Sequence, residues 1–184
     1  MKRLYPAACV VLALVLVPMA ALAEPAAADV TMPEAVVYDA ESALALFRSL
    51  AGDWDADSPD RQHGSYPAAN FRVVAAGSTV IETVLQGQEN EMESVFHIDG
   101  DNLLLTHYCA LQNAPVLRFE PTEEPGLVKF VFHGGTNFDP AVDAHFHAGT
   151  FKVIDADTVE STFIVHAGGE AQPEGRSVLK RRTE

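Results

Sequence analysis

From Asp53 to the C-terminus, hydrophobic and polar residues alternate with a period of two in short stretches that turn residues separate. Successive side chains of a β-strand point to opposite faces, so this alternation predicts strands with one buried face. Most gaps between the stretches are short, which favours antiparallel neighbours. Ten strands are predicted in this way, at 53–56, 71–75, 78–85, 92–98, 103–109, 116–120, 127–133, 145–154, 158–166 and 177–182.

This arrangement predicts an all-β fold. Short connections favour a single closed or nearly closed antiparallel up-and-down barrel of about 8 to 10 strands, because closure removes the unpaired edges of a sheet. A two-sheet sandwich is the alternative, and its long crossover connections have room only at 57–70 and 134–144. The second of these segments predicts either a flap over the barrel mouth or an ordinary connecting loop.

A short helix is predicted ahead of the first strand. Leu44, Phe47 and Leu50 are spaced three apart and share one face. Asp39 can cap the N-terminus of this helix, and Gly52 can end it. The helix and the barrel together predict one domain, 39–184.

The N-terminal residues have the features of an export signal. Lys2 and Arg3 precede an apolar run at 7–17, and a small-x-small pattern at 21–23 fits a cleavage site. The apolar run is shorter than the roughly 20 residues that span a bilayer, so no stable membrane anchor is expected. We therefore expect a signal peptide at 1–23, a flexible Ala-rich leader at 24–38 and a periplasmic or extracellular location.

Charge and cysteine content narrow the set of partners. Removal of Lys2 and Arg3 from the 12 basic residues leaves 10 against 26 acidic ones, a net charge of −16. Nucleic acid is not an expected partner, because its recognition needs clustered basic residues. Cleavage would also leave Cys109 as the single cysteine, so no intramolecular disulfide is expected.

Two motifs at the ends of the domain resemble the calycin or lipocalin-like superfamily. Gly52-Asp53-Trp54 follows the predicted helix, and Leu179-Lys180-Arg181-Arg182 places basic residues on the last predicted strand. The resemblance implies a barrel that the tryptophan closes at one end, beneath the arginine. Within this superfamily, several further segments resemble a functionally uncharacterised, largely bacterial group: Glu82-Thr83, Glu91-Met92, Thr106-His107-Tyr108-Cys109 with Asn113, Gly134-Gly135-Thr136-Asn137 and His145-x-His147. The resemblance covers about 47–181 and implies a fold and a cavity, without an activity.

One predicted hairpin, at 91–113, combines an apolar strand face with polarisable side chains. A two-residue loop at Asp99-Gly100 or Gly100-Asp101 places Phe96 and Leu105 on the same face as His107 and Cys109. We expect that face to be the interior, with His97 on the other. His107 has two interpretations: a structural histidine that is hydrogen-bonded to a group such as Ser94 or Glu82, or a contact for a ligand.

A second group of histidines lies far along the chain. His145 and His147 are two apart, so one strand would direct both towards one volume, which we expect to be the interior. Together with His107 they predict three nitrogen ligands for a divalent metal, a hydrogen-bonding patch for an organic ligand, or a structural cluster. His166 resembles in position the proximal histidine of haem-binding barrels in the superfamily, which makes haem a further alternative.

The sequence thus favours a protein that holds a small, partly apolar molecule in a barrel. The residues expected to contact this ligand are Glu82, Phe96, Leu105, His107, Cys109, His145 and His147. The alternatives are a metal- or haem-dependent barrel, in which catalysis is conceivable, and an interaction module whose barrel is filled by its own side chains. No catalytic residue is assigned, because the sequence contains no Gly-x-Ser-x-Gly elbow and no orienting group beside Cys109 and His107. Neither the cofactor nor the oligomeric state follows from the sequence.

Overall fold

The computed structural model describes residues 37–57 and 64–183, which form a closed barrel of antiparallel strands and one short α-helix. The predicted signal peptide lies outside the described residues. The predicted leader also lies outside them, apart from Val37 and Tyr38.

The helix α1 (Ala40–Ser49) begins where the sequence predicts. Asp39 is the N-cap: the Ser42 backbone N–H donates to Asp39 Oδ1 at 2.8 Å, and the Asp39 N–H donates to Ser42 Oγ at 2.9 Å. This reciprocal pair satisfies N–H groups that have no partner within the helix. The predicted end was two residues too late, because Leu50 is the C-cap and Gly52 already begins the first strand. No helix in the described ranges is long and apolar enough to cross a membrane.

The strands follow one another around the barrel in chain order. Each of the first nine pairs antiparallel with the next, β9 also pairs with β11, and β11 pairs with β1 to close the barrel. The two-residue β10 pairs beside β9 outside this ring. The bounds are β1 Gly52–Asp57, β2 Ser65–Val74, β3 Thr79–Val84, β4 Met92–Asp99, β5 Asn102–Tyr108, β6 Ala114–Glu120, β7 Leu127–Thr136, β8 His145–Asp155, β9 Thr158–Ala167, β10 Glu170–Ala171 and β11 Gly175–Arg181.

The predicted fold class, an all-β up-and-down barrel, is confirmed. Two boundaries differ from the prediction by three residues or more. β2 starts at Ser65 rather than at Phe71, although Pro67 lies within it. β7 continues through Gly134 and Gly135 to Thr136, so part of the segment predicted as a flap is a paired strand.

The helix fills one end of the barrel. Phe47 is fully buried, and its ring stacks on Phe96 with 4.1 Å between ring centroids and meets the Phe151 ring edge-on at 5.0 Å. Burial of aromatic and aliphatic side chains is the main source of stability in such a core. The strand residues that complete this core are Trp54, Ala56, Ala68, Ala69, Phe71, Val80, Phe96, Leu103, Leu105, Leu117, Phe119, Val128, Phe130, Phe151, Val153, Val159 and Leu179.

Trp54 and Arg181 close the same end of the barrel. The indole is fully buried and donates its Nε1–H to the Leu50 carbonyl at 2.8 Å, and the guanidinium carbon of Arg181 lies 4.4 Å from the indole ring centroid. This is the arrangement that the superfamily resemblance implied for the tryptophan and the arginine. The closed antiparallel barrel is compatible with a calycin or lipocalin-like fold.

Candidate functional site

A cavity of about 480 Å³ lies in the barrel beyond the packed core. Leu105, Phe151 and Leu179 belong both to the core and to the cavity wall, so the cavity begins where the core ends. Ligand sites in proteins typically measure about 300 to 1,000 Å³ and are lined mainly by apolar groups. This cavity has that size and an apolar wall, to which Ala68, Ala69, Val84, Phe146, Phe163 and Val165 contribute.

Three polar side chains form a row across one side of the wall. Glu82 on β3 pairs with Ser94 on β4, and Ser94 pairs with His107 on β5. Directly opposite residues of neighbouring strands lie about 4.5 to 5.5 Å apart, so their side chains make one continuous line. Ser94 Oγ lies 3.0 Å from His107 Nδ1, which is a hydrogen bond. We call these residues the polar row.

The turn between β4 and β5 sets the register of the polar row. Asp99 pairs with Asn102, which leaves Gly100 and Asp101 as the two loop residues. This is one of the two loops that the sequence predicted, and it places His107 opposite Ser94 on the interior face, as expected. Hairpin loop length fixes which residues share a face, so the turn chemistry explains the row.

Burial shifts the protonation of two members of the row. Glu82 is 6% exposed, and burial raises the pKa of its carboxyl to about 7, against a hydrogen bond with Ser94 that lowers it. Burial also lowers the pKa of His107 to about 4. At neutral pH the imidazole is therefore uncharged, while the carboxyl is close to half protonated.

Cys109 lies on the same wall, two residues beyond His107 on the chain. It is half-buried, and its Sγ contacts the Met92 Sδ at 4.0 Å.

The order of residues within the polar row differs from that of a hydrolytic triad. Ser94 lies between Glu82 and His107, whereas in a triad the histidine lies between the nucleophile and the carboxylate. The arrangement therefore suits hydrogen bonding to a molecule in the cavity.

Neither a family model nor a curated protein matches this chain.

Of the seven residues expected to contact a ligand, four line the cavity: Glu82, Leu105, His107 and Cys109. Phe96 is packed against Phe47 in the core instead of forming the cavity wall. His145 and His147 also lie outside the wall, whereas Phe146 between them forms part of it.

A β-bulge on β8 accounts for the position of Phe146, instead of the two histidines, on the cavity wall. Phe146 pairs with Val165 and Ala148 pairs with Ile164, so His147 is an extra residue on its strand. An extra residue switches which positions face the interior. Phe146 and Val165 both line the cavity, which directs the neighbouring His145 to the opposite face of the sheet.

The histidines form a separate cluster with aromatic rings. His145 Nδ1 donates to the Asp143 carbonyl at 2.9 Å, which leaves Nε2 to accept from His147 Nδ1 at 3.0 Å. The His147 ring stacks on His166 with 3.5 Å between centroids and on Phe132 with 4.8 Å. Burial lowers the pKa of His147, and positive charge on His166 and His145 lowers it further.

The geometry of this cluster gives no support to the metal and haem alternatives. The facing nitrogens of His145 and His147 bond to each other instead of converging on a common point, and His107 lies on the cavity wall apart from them. Among residues 37–57 and 64–183, no group of three or more His, Cys, Asp or Glu side chains could hold a metal ion. His166, the residue considered for haem, stacks on His147 and is not part of the cavity wall.

Sequence reasoning missed the aromatic part of the cavity wall. The Phe146 ring lies 5.2 Å from the His107 ring and approaches it edge-on. Phe163 lies over Gly175 on the neighbouring strand, where an added Cβ would come within 2.1 Å of the phenyl ring. A glycine within a strand indicates such a close approach, and this was the available signal for Phe163. No comparable signal marked Phe146, because the bulge decides its direction.

Proposed function

We propose that this protein is exported and holds one small, partly apolar molecule in its barrel cavity. The observation that carries the proposal is the cavity of about 480 Å³, whose apolar wall is interrupted by the row of Glu82, Ser94 and His107. Apolar walls contribute burial energy, and a few placed polar groups fix the orientation of a ligand. The sequence also allowed an interaction module whose barrel is filled by its own side chains. That alternative has less support, because core packing stops at Leu105, Phe151 and Leu179.

We also propose that the chain belongs to the uncharacterised bacterial lipocalin-like group that its motifs resemble. The position of Arg181 over Trp54 supports the wider superfamily. The Thr106-His107-Tyr108-Cys109 motif contributes His107 and Cys109 to the cavity wall, which supports a binding role for that motif. The export signal that the sequence predicts at 1–23 is the support for a periplasmic or extracellular location.

The test of the binding proposal uses a probe and a variant that fills the cavity. The probe is N-phenyl-1-naphthylamine, an apolar fluorophore whose emission rises in apolar surroundings. Ser177 lines the cavity opposite Ser161, so Ser177→Phe adds a large ring to this space. Val178 is the next residue and is exposed, so Val178→Phe adds the same ring on the outer face.

We expect saturable probe binding to the wild type and to Val178→Phe, and binding about tenfold weaker or more in Ser177→Phe. Circular dichroism checks that both variants keep the fold. Equal binding by all three proteins would show that the probe binds elsewhere. Absence of binding by the wild type would contradict the proposal directly.

A further inference from the structure

The charges around the cavity are distributed unevenly. Among the residues that the structure describes, Glu82 is the one acidic side chain of the wall, and it is buried. The basic residues of the wall are His107 and Arg176. The Arg176 side chain is 61% exposed and forms an ion pair with Glu160, so its charge is already matched at the surface.

No cation in the described part of the chain compensates the Glu82 carboxylate. The ionisable side chains that share the cavity wall with it are Tyr66 from β2, His107 and Cys109 from β5, and Arg176 from β11. Burial and the hydrogen bond with Ser94 account for its pKa, and no cationic side chain contributes. Removing a carboxylate from water without a counter-charge is unfavourable. A positive charge supplied by a ligand would offset this cost.

We propose that the preferred ligand is an amine, with an apolar body in the cavity and one protonated amino group that pairs with Glu82. This inference rests on the proposed binding function and adds the chemical class of the ligand. Ser94 and His107 can then accept hydrogen bonds from the ammonium group, since the hydroxyl oxygen and the neutral imidazole each have a lone pair. Fatty acids and other anions are disfavoured, because their charge would lie beside Glu82.

Binding of an amine has a proton balance. The free ligand is already an ammonium ion, so the Glu82 carboxyl must lose its proton when the ion pair forms. With a pKa of about 7 in the free protein, part of the Glu82 population carries a proton at pH 7, and binding releases that fraction of a proton per ligand. The affinity for the amine therefore falls as the pH drops below 7.

The experiment compares three probes with the same eight-carbon chain: octylamine, octanol and octanoate. Isothermal titration calorimetry at pH 8 measures each against the wild type and against Glu82→Gln, which keeps the size of the side chain. The matched control is Glu93→Gln. Glu93 on β4 pairs with Thr83 on β3, directly beside the pair of Glu82 and Ser94, but its side chain points away from the cavity and forms an ion pair with Arg72 at 3.3 Å. Titration of octylamine at pH 7 in phosphate and in Tris measures proton release from the wild type alone, independent of any variant.

We expect octylamine to bind the wild type about 10- to 100-fold more tightly than octanol, since a hydrogen bond to a charged group is stronger than a neutral one. Glu82→Gln removes this preference and the proton release, and Glu93→Gln keeps both. Octanol binding as tight as octylamine binding, or octylamine binding without proton release, would overturn the amine inference while leaving the cavity-binding function intact. If none of the three probes binds, both the inference and the proposed function fail.

Discussion

Arg181 lies over the indole of Trp54, with its guanidinium carbon 4.4 Å from the ring centroid. The guanidinium also donates to the backbone carbonyls of Ser49 and Ala51, at 3.1 and 2.9 Å, which lie at the end of α1. A single side chain thus connects the last strand, the first strand and the helix. The fold is closed by this contact at the end away from the cavity.

Substitution of this arginine should weaken the whole barrel. We predict that Arg181→Ala lowers the free energy of unfolding by about 2 to 3 kcal/mol, from the lost cation–π contact and two hydrogen bonds. Lys180→Ala is the control, because Lys180 is exposed and lies 3.9 Å from Asp57. We expect a change of about 0.5 kcal/mol or less there. Urea denaturation measures both, and equal effects would contradict the role assigned to Arg181.

Phe47 should matter more for stability than Phe163, an aromatic residue of the cavity wall. Phe47→Ala leaves a void between Phe96, Phe130 and Phe151, and we predict a loss of about 3 to 5 kcal/mol. Phe163→Ala makes the same change at a side chain that is 45% exposed, where we expect a loss of about 1 kcal/mol. Thermal and urea unfolding give the comparison. A larger loss at Phe163 would mean that the cavity wall, and not the helix, holds the barrel together.

Glu82 makes the stability of the protein fall as the pH rises. The pKa of its carboxyl is about 7 in the folded state, against 4.5 for an ordinary glutamate, so the folded protein binds more protons between these pH values. Stability is therefore lost as the pH rises from 4.5 to 7. We predict that Glu82→Gln is about 3 kcal/mol more stable than the wild type at pH 8 and gains nothing from this term below pH 4. A pH-independent difference in urea unfolding would contradict the burial of an uncompensated carboxyl.

His107 acts in the opposite direction. The pKa of its imidazole is about 4 in the folded state, against 6.5 for an ordinary histidine, so the unfolded chain binds more protons between these pH values. The free energy of unfolding therefore falls as the pH falls from 6.5 to 4. We predict that His107→Gln makes the free energy of unfolding less dependent on pH in this range. His97→Gln, on the other face of the same hairpin, is the matched control and should lose stability between pH 6.5 and 4 as the wild type does. The pH of half-unfolding under acid titration distinguishes the two variants.

The sequence was sufficient for the face on which Ser94 and His107 lie, because each step depended on a local pattern. Alternation assigned β4 and β5, and a two-residue loop at either Asp99-Gly100 or Gly100-Asp101 placed the two side chains on one face. The structure decides between the two loops, since Asp99 pairs with Asn102 and Ser94 therefore lies opposite His107. The helix was predictable for the same reason, since Asp39 and the three-residue apolar spacing are local signals. In both cases the physical determinant is contained in the segment itself.

The rest of the site depended on irregularities that the local pattern does not show. The bulge at His147 inserts one residue, and a one-residue shift reverses the direction of every side chain before it. Gly134 and Gly135 indicated a loop, yet both lie in β7. At Gly135, φ is +147°, and an added Cβ would lie 2.7 Å from the Ala114 carbonyl oxygen, so the glycine permits close strand packing.

Phe96 shows a further limit of sequence reasoning. Its assignment to the interior face was correct, but the face is shared between a packed half and a cavity half of the barrel. Only the position of Phe47 decides which half Phe96 belongs to. That contact is between a helix and a strand that are far apart in the chain, and no periodicity encodes it.

Native mass spectrometry of the purified protein tests the central claim, ligand binding in the cavity, most directly. The wild type should carry one additional small molecule from the host, or should form a one-to-one complex when octanol is added. Ser177→Phe should show the mass of the bare chain under both conditions, because the added ring occupies the cavity. A wild-type spectrum that shows the bare chain alone, before and after octanol is added, would contradict the claim.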